Sequence, residues 1–208
     1  TLDKSSLTYS AEFANTGTLN IGESSTFTAP SVINNGTINF TALSAKLATP
    51  TEGLTIVDKV NDPNYAIAYL GGTYQYAKYV AQIGDEKYLT LQEAIDAAQD
   101  GETIKLIADE IFTEDNRTIS SGTWYEGVYY VGDKNFTIDL NDHTVTQNGA
   151  INDYMFLFKN AGAKDNTITL KNGTIDAGNT AYCAFATSSS NVNKMTINTE
   201  NINFVGNN

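Results

Sequence analysis

Apolar and polar residues alternate in short bursts through the C-terminal half of the chain, and the bursts recur. Phe136-Thr-Ile-Asp-Leu140 returns as Asn166-Thr-Ile-Thr-Leu170 and again as Lys194-Met-Thr-Ile197, each followed by a polar corner and a second apolar dyad. Ile138 precedes Ile168 by 30 residues, and Ile168 precedes Ile197 by 29. The second strand aligns Val145 with Ile175 and Ile202, at spacings of 30 and 27. A third, Tyr154-Met-Phe-Leu-Phe158, lies 28 residues before Tyr182-Cys-Ala-Phe-Ala186, and Val128-Tyr-Tyr-Val131 fills the same place one coil earlier. Alternation marks each segment as strand, and recurrence at this period marks stacked units. The pattern predicts a β-solenoid with three strands per coil.

A shorter repeat precedes it. Asn15-Thr-Gly-Thr-Leu-Asn-Ile21 matches Asn34-Asn-Gly-Thr-Ile-Asn-Phe40 at an offset of 19, with Gly17 and Gly36 expected at corners of positive φ. This segment reads as the end of a preceding solenoid. From residue 42 the alternation fades through Pro50 and Pro63 into a tyrosine-rich stretch, which predicts a connector with a hairpin at Gly71-Gly72. Domains are therefore expected at 1–79 and 80–208.

One helix is expected near 90–100. Thr90 and Glu93 form a capping box, Leu91, Ala94, Ile95 and Ala98 make one apolar stripe, and Gly101 is placed to stop the helix. A stripe that narrow suits covering the end of a solenoid. The run from Val80 through this helix to Thr103-Ile-Lys-Leu106 resembles the start of pectate-lyase-like right-handed parallel β-helices, especially those in large, adhesin-like surface proteins of gut-type bacteria. Ile138-Asp-Leu-Asn-Asp-His-Thr-Val145 resembles a coil corner of the same proteins. The resemblance covers about residues 80 to 207 and specifies architecture better than activity. It implies a right-handed parallel β-helix, mainly β, in an extracellular bacterial protein at the cell surface or secreted.

Charge narrows the partners. With 24 acidic and 12 basic residues the net charge is −12, which disfavours nucleic acid, and no apolar run is long enough to insert in a membrane. The single cysteine, Cys183, permits no internal disulfide and is expected to be a buried, inert thiol. Sequons occur at Asn35, Asn39, Asn116, Asn135 and Asn172, and all but Asn116 are the Asn-Gly-Thr and Asn-Phe-Thr runs that strand corners also use.

No catalytic set assembles from the sequence. Arg117 is the only arginine and His143 the only histidine, so no metal site with several histidines can form within the chain, and His143 reads as a corner residue. Asp139, Asp142, Asp153 and Asp176 are the candidate acids, but strand parity points Asp139 and Asp176 outward from different strands. No metal or cofactor is expected, although corner carboxylates leave surface calcium open. The best ligand-binding candidates are aromatic: Trp124, Tyr125 and Tyr129 could stack on sugar rings, or could simply pack as strand aromatics.

The leading expectation is a non-enzymatic structural or adhesive segment, a stiff spacer or scaffold meeting host or microbial glycans or surface proteins. One alternative is a carbohydrate-active enzyme, a lyase or glycoside hydrolase using those aspartates. Another is a filament subunit, because the sequence stops at Asn208 in mid-coil. A solenoid cut short there would need neighbouring modules or subunits over its open end.

Overall fold

The computed structural model describes residues 1–114, 116–149, 151–152, 154–162, 164–178, 183–189 and 193–206. The protein is mainly β with one helix, and it divides into two compact units, Thr1–Lys78 and Tyr79–Asn208. Among the described residues no helix is long and apolar enough to cross a membrane.

The first unit contains three parallel ladders. Ser6–Thr8, Thr26–Thr28 and Lys46–Ala48 form one, with Leu7, Phe27 and Leu47 in register. Phe13–Asn15 pairs Val32–Asn34, and Thr18–Ile21, Thr37–Phe40 and Ile56–Asp58 make the third. The offset of 19 is that of Leu19 on Ile38 and of Ile21 on Phe40. The segment from residue 42, expected to be patternless, instead carries both outer ladders through another rung. Its strands are only three residues long, so each has too few inward positions for alternation to show. The hairpin Tyr65–Leu70 to Thr73–Lys78 then turns through Gly71 and Gly72, at φ 53° and 77°, and pairs antiparallel with Lys46–Ala48. Two positive φ values in succession are the geometry of a type I′ turn, which glycine adopts without steric cost.

Gly17 and Gly36 do not have the positive φ expected of them. A Cβ on Gly36 would lie 2.1 Å from the Gly17 carbonyl oxygen, so it is close stacking of one coil on the next that requires glycine there.

The second unit opens with the hairpin Ala81–Ile83 to Glu86–Tyr88, followed by helix α1, Leu91–Ala97. The Thr90 hydroxyl accepts from the Glu93 amide, and Glu93 answers at the Thr90 amide, so the capping box is complete. Leu91, Ala94, Ile95 and Ala98 are fully buried in the unit's core. Gly101, at φ 87°, does not end the helix; Ala98 already leaves it in an extended conformation, and the glycine shapes a later turn.

Three parallel ladders follow. Thr103–Leu106, Phe136–Asp139 and the first part of Asn166–Asp176 make one, and Glu110–Phe112, Thr144–Gln147 and the last part of Asn166–Asp176 make a second. Met195–Val205 pairs along the full length of Asn166–Asp176, while Val128–Val131, Tyr154–Asn160 and Cys183–Ser189 form the third ladder. Three registers differ from those read in the sequence. Ile138 pairs Leu170 rather than Ile168, and Ile175 pairs Phe204 rather than Ile202. These two slips are of two residues, and because side chains repeat with period two along a strand, such a shift leaves the inward pattern unchanged. In the third ladder Tyr154 pairs Cys183 rather than Tyr182, a slip of one residue that exchanges the faces, so Phe156 stacks on Phe185 rather than on Ala184. The first slip comes from the corner: Asp139 pairs Lys171 and Thr144 pairs Thr174, so Leu140–His143 holds two more residues than Asn172–Gly173.

Candidate functional site

Thr118–Ser121 and Trp124–Glu126 form an antiparallel hairpin whose register shifts between Ile119 and Ser121. Trp124 and Ile119 are exposed on it, at 45% and 58%. Tyr125 lies beneath Arg117, whose guanidinium carbon is 3.6 Å from the ring centroid. Asn152 braces the turn, accepting the Tyr125 amide at 2.8 Å and donating to the Thr123 carbonyl at 3.0 Å. The third aromatic candidate, Tyr129, sits on the next strand. Gln92 of α1 clamps it by accepting the Tyr129 amide at 2.8 Å and donating to its carbonyl at 3.0 Å, and Lys159 stands 5.0 Å over its ring. The structure therefore puts Trp124 and Tyr125 on one hairpin, with Trp124 the exposed member, and places Tyr129 on a separate strand against α1.

The candidate acids are dispersed. Asp139 accepts the Asn141 amide and the Asn172 side-chain amide, at 3.0 and 3.1 Å, and faces Lys171 at 3.6 Å. Asp176 belongs to the neighbouring ladder and accepts the Gly178 amide at 3.0 Å. Asp142 lies in the corner at φ 65°, with its amide donated to the Asn172 carbonyl. Asp153 lies outside the described residues, as does the side chain of Cys183. His143 is 3.1 Å from Asp109, whose carboxylate also accepts the Thr144 amide. Among the described residues, no three His, Cys, Asp or Glu side chains converge so as to hold a metal ion.

The sequon asparagines divide: Asn35, Asn116 and Asn135 lie outside the strands, Asn172 sits at a positive-φ bend within Asn166–Asp176, and Asn39, expected at a corner, is instead buried inside the strand Thr37–Phe40. The side-chain amides of Asn39, Asn116, Asn135 and Asn172 each donate to a neighbouring coil or turn, whereas Asn35 is exposed. Asn172 continues a ladder: Asn201 donates to it at 3.3 Å, and both residues adopt positive φ, 58° and 54°. Asparagine tolerates that conformation better than most side chains, which is why it recurs at this corner.

Two buried carboxylates were not singled out in the sequence. Glu110 is 2% exposed and accepts the Leu91 amide at 2.9 Å and the Asn116 side-chain amide at 2.7 Å. Burial pushes its pKa up to about 7; Glu93 adds to the rise, and the two hydrogen bonds oppose it. Glu126 is fully buried and bonds both the amide and the hydroxyl of Ser120. Glu110 could have been found by parity, because Ile104, Leu106, Ala108, Glu110 and Phe112 all face inward.

Against this geometry, no family model, no curated protein and no solved structure matches the chain. The class it can be assigned is that of its own fold: a mainly β protein with one capped helix and stacked parallel ladders.

Proposed function

We propose that the chain is a non-enzymatic structural and adhesive segment of an extracellular bacterial surface protein, in which the parallel ladders are the faces of a right-handed β-helix. The β-helix serves as a stiff spacer, and loops such as the Trp124 hairpin meet glycans or proteins. The observation that carries this reading is the use made of its polar side chains. Asp139, Asn172 and Asn201 link successive rungs at one corner, and Asn160 joins Asn166 to the Lys164 and Lys194 carbonyls at another. Of the candidate acids, Asp139 is bonded to Asn172 of the next coil and Asp176 to its own corner.

The test has two parts. Incubation with neutral and acidic polysaccharides is expected to release neither reducing ends nor unsaturated products, and release of either would sink the non-enzymatic reading. On a glycan array, binding is expected to fall at least fivefold in Trp124→Ala, in line with the roughly 1–3 kcal/mol attributed to burying an aromatic face.

A further inference from the structure

A cleft of about 540 Å³ opens in the first unit, apart from the Trp124 hairpin. It runs across successive rungs where the first ladder ends. Tyr9 donates its amide to the Thr28 carbonyl at 2.8 Å, Ala29 to Ala48 at 3.0 Å, and Thr49 to Gly72 at 2.9 Å. Ala29 and Gly72 leave the space, and Pro30 and Pro50 border it.

Two tyrosine rings line the cleft and both are fixed. Tyr9 packs against Phe13 and Phe27 at centroid distances of 5.1 and 5.7 Å, yet remains 42% exposed. Tyr69 lies 4.8 Å from the Tyr74 ring and donates its hydroxyl to the Thr49 carbonyl at 3.0 Å. The Thr49 hydroxyl accepts the Thr51 amide at 3.2 Å. The cleft thus offers pre-set aromatic faces while several of its polar groups are already engaged.

No lining side chain is charged, but two carboxylates adjoin the lining. Glu12 accepts from Ser31, the neighbour of Pro30, at 3.4 Å, and Glu52 lies two residues beyond Pro50. Burial and then Glu52 raise the pKa of the Tyr69 hydroxyl, so the Glu52 charge is felt at that ring.

We propose that this cleft binds a quaternary ammonium group. Such a group is a cation with no N–H donors, so it is served by the two tyrosine rings and the adjoining Glu12 and Glu52 carboxylates rather than by hydrogen bonds. Proline and alanine side chains offer a sugar's hydroxyls nothing, and Ser10 and Thr28 are the aliphatic lining hydroxyls besides the engaged Thr49. Cellobiose is therefore the comparison that separates a sugar from a cation, and an anion would meet Glu12 and Glu52. The same chemistry is found in a free choline-type molecule and in a trimethylated lysine of a polypeptide.

The experiment is an NMR titration of the whole chain with choline chloride and with a short Nε-trimethyllysine peptide, using ethanolamine and cellobiose as comparisons. Saturable shifts are expected at the Ala29, Thr49 and Gly72 amides, with ethanolamine at least fivefold weaker than the methylated cations. Tighter binding of choline assigns a small-molecule source, and tighter binding of the peptide assigns a polypeptide. Tyr9→Leu should weaken binding about two- to fivefold, the range for one exposed cation–aromatic contact. Glu52→Gln, an exposed change that keeps the fold, should weaken it about twofold and reduce its salt sensitivity. Trp124→Ala should leave it unchanged, so this site and the hairpin can fail separately. The proposal is overturned by the absence of saturable shifts with either methylated cation, by ethanolamine binding as tightly, or by cellobiose alone binding.

Discussion

Glu110 occupies an inward position on the rung where Val145 and then Ile175 stack above it, so a carboxylate stands in an otherwise apolar column. Its two partners are both N–H donors, which suit the ionised form, while burial favours the neutral one. With the folded pKa raised from 4.5 to about 7, the native state binds more protons than the unfolded chain between those values. Stability from this group is therefore full below pH 4.5 and is lost as pH rises through 7, a decline of about 3 kcal/mol in all. Glu110→Gln removes that slope but presents one acceptor oxygen to two donors, costing about 1–2 kcal/mol at pH 5. Urea unfolding at pH 5 to 8 is expected to show the variant weaker at pH 5, with the gap closing or reversing by pH 8. A constant gap would refute the assignment. Glycine at position 36 is fixed by a different residue-scale constraint, the backbone of the coil stacked against it.

At the scale of elements, side-chain amides on strands as well as at corners hold the ladders in register. Asn39 donates to Asn20 at 2.6 Å, but its own carbonyl oxygen Oδ1 is buried with no hydrogen-bond partner. The residue paired with it on the next rung is Val57, which ends the amide ladder. Val57→Thr keeps the branched shape and supplies a hydroxyl to that oxygen, so it is expected to raise stability by about 0.5–1 kcal/mol, read as a higher urea midpoint at unchanged slope. Helix α1 shows what was legible at this scale. Its cap and stripe follow from local chemistry and were readable, whereas its early stop was not, because Gly101 resembles a C-terminal signal but lies in the turn whose amide bonds the Asn135 carbonyl. The aromatic candidates divide similarly. Trp124 and Tyr125 are neighbours in sequence and share a hairpin, but the clamp of Gln92 on Tyr129 joins residues 37 apart and leaves no local trace.

At the scale of the molecule, each unit has its own core. The first is built from Ile21, Phe27, Ile38, Phe40, Leu47 and their neighbours, none beyond Tyr76, and the second begins at Val80. Phe27 is fully buried, so Phe27→Ala should cost the first unit about 3–5 kcal/mol. Amide exchange is the measurement: protection at Ile38 and Leu47 should fall, while that at Ile138 and Leu170 should hold, and an equal loss in both would show a single cooperative unit. The sequence by itself determined the strand character of the longer repeats, the inward faces of the Phe136 and Thr144 strands and their repeats, the helix with its N-terminal cap, and the hairpin at Gly71-Gly72, because alternation and turn chemistry are properties of neighbouring residues. Only the tertiary structure decided which rung lies on which: a slip of two residues keeps every side chain on its own face and is settled by the length of each corner, and in the third ladder the stacking of Phe156 on Phe185 settles a slip of one. It also decided that Glu110 is buried against α1 and that Tyr9 and Tyr69 line one cleft, because those relations are set by coils stacking rather than by anything local to either residue.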